Sequence, residues 1–163
     1  MTRGSDQKRQ FTELLDTYRG PLRRLCAAYA QNAADRDDLF QDILLALWRA
    51  MPAFRGDASV RTWVYRIAHN VALTRRTRRA QREAREQPLD EAIAGTTEMD
   101  FRRVALKQAI REMHPADRML TLLWLEGLTA AEIEEVTGMK AATVAVRLSR
   151  IRKRLHPGSE SYE

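Results

Sequence analysis

Apolar residues in this chain recur every third or fourth position, and no stretch shows a sustained strand-like alternation bounded by turn signals. That periodicity predicts an all-α protein. Phe11, Leu15, Tyr18, Leu22, Leu25 and Tyr29 give one helical face, with Gly20 and Pro21 inside it as an expected kink or break. A second helix is expected from Asp35 to Met51. Its acidic start, DRDD, suits the positive end of a helix dipole, and Leu39, Phe40, Ile43, Leu44, Leu47, Trp48 and Met51 make a wide apolar face before Pro52. FRGDAS reads as a loop. A third helix is expected from Ser59 through Trp63, Val64, Ile67, Ala68 and Val71 into the basic tract RRTRR, Arg75 to Arg79.

From Arg82 the character changes. REAREQPLDEAIAGTTEMD has few large apolar residues and no basic residue between Arg85 and Arg102, the composition of a linker. Helical pattern resumes from Phe101, breaks at His114-Pro115, and restarts through Met119, Leu120, Leu122, Leu123 and Leu125 to Gly127. The expected architecture is two small helical domains, residues 8–81 and 100–156, joined by a flexible linker over 82–99.

The second domain ends in a sharper pattern. Thr129 and Glu132 have the S/T-x-x-E spacing of a capping box, in which each side chain satisfies a free backbone donor of the other residue. Ile133 and Val136 face inward, and Gly138 stands where a left-handed helix terminus is easiest. The next helix is expected from about Lys140. Two short helices about a glycine-containing turn form a helix-turn-helix, whose second helix enters a DNA major groove. At 100° per residue, Ala141, Val144, Leu148, Ile151 and Leu155 fall on a packing face, while Lys140, Thr143, Arg147, Arg150 and Arg154 fall on a neighbouring outward one. Ala142 and Val146 are small or apolar and allow close approach to base edges and thymine methyls. Arg152 and Lys153 point elsewhere and read as solubility charges.

Charge fits this reading. The chain has 28 Lys+Arg against 22 Asp+Glu, a formal +6, which favours a polyanionic partner. No uninterrupted apolar stretch approaches the roughly 20 residues of a membrane span, so a soluble, cytoplasmic protein is expected. The single Cys26 lies in an apolar run and reads as a buried structural thiol. His69, His114 and His156 are scattered, with no metal-ligand spacing and no phosphate-binding glycine loop. No enzyme, metal or cofactor is therefore expected.

In the first domain, the flanking carboxylates Asp35, Asp37, Asp38 and Asp42, without an obvious basic partner nearby in sequence, suit a protein partner with basic and apolar features. Phe40 and Trp48 fit either that surface or the core. Trp63 fits the core, whereas Tyr65, Asn70 and the basic tract suit stacking and phosphate contacts on unpaired strands. A duplex-binding regulator that acts without polymerase would share the helix-turn-helix.

The stretches DRDDLFQDILLALWRAMPAFRGDASVRTWVYRIAHN and MHPADRMLTLLWLEGLTAAEIEEVTGMKAATVAVRLSRIRKRL, in this order and with this linker, resemble the extracytoplasmic-function type of bacterial sigma factor over residues 8 to 155. The resemblance implies a first domain that binds core RNA polymerase and melts the −10 element, a last domain that reads the −35 element, a linker threading the RNA exit path, and an anti-sigma factor as regulator. It assigns Asp37, Asp38, Leu39, Gln41, Asp42 and Leu45 to polymerase. The unpaired −10 strand would meet Phe54, Arg55, Gly56, Asp57, Tyr65, Arg66, Asn70, Arg75 and Arg76. The duplex −35 element of promoter DNA would meet Lys140, Ala142, Thr143, Val146, Arg147, Arg150 and Arg154. Two departures stand out: Ala142-Thr143-Val144-Ala145 replaces a frequent Gly-Thr-Val-Lys, and Thr74 stands where an acid is frequent.

Overall fold

The computed structural model describes residues 3–84 and 101–155, and among these every regular element is helical. The chain divides into two compact units. The first holds α1 (Arg3–Tyr29), α2 (Ala33–Ala50), one 3-10 turn (Met51–Ala53) and α3 (Val60–Glu83). The second holds α4 (Phe101–Glu112), α5 (Pro115–Leu125), α6 (Ala130–Thr137) and α7 (Ala141–Leu155).

In the first unit, Leu22, Leu25 and Cys26 of α1 meet a core made with Leu39, Phe40, Ile43 and Leu47 of α2 and Val64, Tyr65, Ala68 and Ala72 of α3. Burial pushes the Cys26 thiol up to about 12, as befits a structural thiol. Of the kink or break expected at Gly20-Pro21, the break does not occur: α1 runs through Pro21. Packing on both sides of the proline holds the helix together: Phe11 sets its ring edge-on to Trp48 at 5.2 Å before it, and Leu22 and Leu25 are buried after it. These contacts offset the lost backbone donor.

The helix starts are capped as short polar residues dictate. The Asn32 side chain accepts from the Asp35 N–H at 2.8 Å while the Asp35 carboxylate accepts from the Gln31 N–H at 2.9 Å, so α2 begins two residues earlier than expected. Ser59 caps α3 by accepting from the Thr62 N–H, and its hydroxyl donates to the buried Thr62 Oγ1. Because α3 stays helical to Glu83, it overruns the expected start of the linker at 82. The rest of the expected linker, from 85 on, lies outside the described residues.

In the second unit, Met119, Leu120 and Leu123 of α5 are buried with Ile133 and Val136 of α6 and Val144, Leu148 and Ile151 of α7. Arg118 donates to the carbonyls of Ile110, Arg111 and Met113, neutralising the free acceptors at the end of α4 and tying it to α5. The capping box forms as spaced: the Thr129 N–H donates to Glu132 at 2.8 Å and the Glu132 N–H to Thr129 Oγ1 at 3.2 Å. Gly138 adopts φ 76° and ends α6.

Candidate nucleic-acid interface

α7 packs through Val144, Leu148 and Ile151, and that anchoring decides what its other faces present. Ala142, Thr143, Val146, Arg150 and Arg154 are exposed, and Val146 keeps 52% of its surface in solvent. Lys140 stands just ahead of the helix, its ammonium 3.3 Å from Glu134. Glu134 also accepts the Ala141 N–H at 2.8 Å, which caps α7 from α6. That backbone bond, followed by the Lys140 ammonium, holds the Glu134 carboxyl below its usual value.

Arg147 departs from the outward row. It lies next to the packing face and is half-buried, with its Nε 3.4 Å from Asp117 Oδ1 on α5. Its Nη1 lies 3.9 Å from the Met139 sulfur. Arg152 is likewise more than a solubility charge, since its guanidinium sits 5.9 Å over the Trp124 ring.

On the first unit, the acidic row of α2 does have an internal basic partner. Arg75 of α3 donates to Asp35 through Nε and Nη2 at 3.1 and 2.9 Å and to Asp42 through Nη1 at 2.7 Å, and it lies 3.7 Å from Asp38. Arg79 reaches Asp35 at 3.6 Å. Arg75, expected on the unpaired strand, is thus engaged on α2. Burial opposes ionisation of Asp35, but the Gln31 N–H and the Arg75 guanidinium outweigh it and hold the carboxyl below its usual value.

The outward strip of α2 retains Asp37, Asp38, Gln41, Asp42 and Leu45, with Asp38 66% and Leu45 46% exposed. Asp37 lies 3.7 Å from Arg23. Leu39, expected to meet a partner, is 2% exposed and belongs to the core. Phe40 is also core, under the Arg23 guanidinium at 4.7 Å, while Trp48 is half-buried against Phe11.

The FRGDAS loop turns at Gly56, φ 80°, and leaves Arg55, Gly56 and Asp57 exposed. Phe54 packs on Trp63 with ring centroids 4.9 Å apart, so Trp63 is half-buried under the loop rather than a full core residue. Tyr65 is 2% exposed and edge-on to Tyr18, which removes it from the strand-binding candidates. It shares the inward face of Ala68 and Ala72, three and seven positions on. Arg66 is half-buried, while Arg76 and Asn70 are exposed.

Asn70 follows Trp63 by seven residues, about 20° short of two full turns and roughly 10 Å along the axis. Loop and amide therefore lie on one face of α3. Asn70 lines an open groove with Asp42, Leu45 and Arg49 of α2 and Thr74 and Arg78 of α3. Sequence spacing did not pick out Arg49, whose place depends on how α2 packs against α3. Thr74, standing in the frequent acid position, donates its hydroxyl to the Asn70 carbonyl at 2.8 Å. Among the described residues no group of His, Cys, Asp and Glu could hold a metal ion, and no helix is long and apolar enough to cross a membrane.

Comparison with known proteins follows the same two-part division. The family model for Sigma-70 region 2 matches residues 14–83, and that for Sigma-70 region 4 matches residues 103–155. The ECF RNA polymerase sigma-E factor of Escherichia coli K12 is 31% identical, covering 91% of this chain and 85% of that protein. The ECF RNA polymerase sigma factor SigM of Mycobacterium tuberculosis H37Rv is 29% identical over 89% of this chain and 74% of its own length. The sigma factor RpoE of Bartonella quintana, solved with the anti-sigma factor NepR, shares the fold at TM-score 0.70 and 21% identity, covering 93% of this chain and 95% of that one. With both sigma-70 regions matched in order over most of its length and a relative at this level of identity, the chain belongs to the extracytoplasmic-function family of RNA polymerase sigma factors.

Proposed function

We propose a division of labour within this sigma factor, a protein that binds core RNA polymerase and directs promoter recognition and transcription initiation. The outward strip of α2, Asp37, Asp38, Gln41, Asp42 and Leu45, docks on polymerase. The exposed loop Arg55-Gly56-Asp57 and Asn70 capture unpaired bases of the −10 element, with Arg76 on its phosphates. Lys140, Ala142, Thr143, Val146, Arg150 and Arg154 meet the duplex −35 element. The functional borders follow the two domains, 8–81 and 100–156, with the tether between them. The polymerase supplies the chemistry and this chain adds none of its own. It works in the cytoplasm beside that polymerase. An anti-sigma protein is its regulator, a reading supported by the partner bound to the Bartonella relative.

The observation that carries the −35 assignment is the face of α7 where exposed Ala142 and Val146 adjoin Arg150 and Arg154. Small side chains let the helix approach base edges, and the arginines reach guanine or phosphate. Arg150→Ala is expected to weaken holoenzyme binding to a selected promoter duplex by about 1–3 kcal/mol and to relax specificity at one base position. A uniform loss across sequences, with the salt slope flattened by about one unit, would make Arg150 a phosphate contact instead. Unchanged binding to promoter and random duplex alike would remove Arg150 from the interface.

A further inference from the structure

Asp117 is out of place electrostatically. It is a carboxylate on α5 that faces the DNA-reading helix of a basic domain, and any negative charge there repels a polyanion. Its Oδ1 is closed off from solvent and takes no hydrogen bond among the described residues, although Arg147 Nε lies 3.4 Å away. A buried acceptor left unsatisfied is costly and calls for an explanation. Asp117 is itself firmly placed: it sits in the first turn of α5, and its carbonyl accepts the buried Thr121 hydroxyl at 2.7 Å.

The arrangement around Arg147 supplies the explanation. Asp117 faces the Nε side of the guanidinium, and the Met139 sulfur lies 3.9 Å from Nη1. Sulfur is a weak acceptor, so the paired terminal nitrogens remain the part of the fork available to a strong acceptor pair. A guanine edge offers such a pair in O6 and N7. An arginine free to swing would lose rotamer entropy on reading a base, and one held by a carboxylate has already lost much of it.

We infer that Asp117 is a positioning residue for promoter reading: it fixes Arg147 so that the guanidinium recognises one guanine of the −35 element. The inference rests on the assignment of α7 to that element. It separates Arg147 from Arg150, whose side chain is exposed. It also makes a residue outside the helix-turn-helix a determinant of sequence preference.

The test presents a randomised duplex pool to the full chain assembled with core RNA polymerase and compares the selected sequences. Asp117→Asn is expected to reduce the preference at one base position by roughly five- to a hundredfold, while affinity for random duplex is unchanged or raised because a repelling charge is gone. Arg147→Lys, which keeps the charge and loses the planar fork, is expected to erase the same preference. Asp117→Asn added to Arg147→Lys should then do nothing further at that position. A merely structural ion pair would lower the thermal midpoint without changing the selected base. If Asp117→Asn does not fold, Arg147→Lys decides alone, and its retaining the wild-type preference would overturn the inference. A uniform change with Asp117→Asn, and no position singled out, would overturn it equally. Arg150→Ala tells the two levels apart: if it alters the selected sequence while the other variants do not, α7 stays the reader and the inference fails. If no variant alters selection, the α7 assignment fails and takes the inference with it.

Discussion

Asn70→Ala in the assembled holoenzyme is expected to slow open-complex formation on duplex promoter by roughly tenfold or more, the loss of one or two hydrogen bonds at about 1–1.5 kcal/mol each. Melting takes bases out of the stack at a few kcal/mol apiece, and the protein offsets that only with contacts available to an unpaired base. The Asn70 amide offers both a donor and an acceptor on the face of α3 that carries the Phe54–Trp63 contact. Its backbone is already secured by the Thr74 hydroxyl, and alanine is the better helix former, so α3 should persist. On a template with a pre-opened bubble lacking the contacted base, the defect should largely vanish. Wild-type opening rates across several recognised promoters would show that Asn70 is an ordinary surface residue of α3.

Asp38→Arg is expected to weaken binding to core RNA polymerase by at least about tenfold, because like charges then face each other across the contact. Asp38 suits the test because so little of the fold depends on it. It is 66% exposed and lies 3.7 Å from Arg75, whose close hydrogen bonds go to Asp35 and Asp42. Far-UV circular dichroism of the free protein should therefore stay helical. Reversing Asp42 would confuse the result by breaking the 2.7 Å bond that joins α2 to α3. Unchanged affinity for core enzyme would defeat the assignment of this strip.

What could be read from the sequence is what local chemistry decides. The Thr129–Glu132 box, the left-handed Gly138 and the buried stripe Val144, Leu148 and Ile151 all depend on neighbours within a few positions, and all are found as spaced. The family resemblance rested on the longer stretches 35–70 and 113–155, in that order and with the linker between them. What could not be read depends on packing between distant elements. Arg75 meets Asp35 from 40 positions away, and Arg147 meets Asp117 from the next helix but one, with no local signal for either pair. Tyr65 looked available because a helix packed against two others buries a wider arc than an amphipathic stripe suggests, whereas Leu39 lay on the expected apolar face and came to polymerase only through the resemblance. Pro21 marked a kink or break by local rules, and packing on both sides of it keeps the helix continuous.

The most direct measurement mixes the purified chain with sigma-free core RNA polymerase and follows both association and transcription on duplex DNA. A sigma factor should co-elute with core and start transcripts at defined positions that core alone does not use. A chain that elutes apart from core, binds a palindromic duplex as a dimer and leaves transcription unchanged would be a duplex-binding regulator, which contradicts a role in initiation.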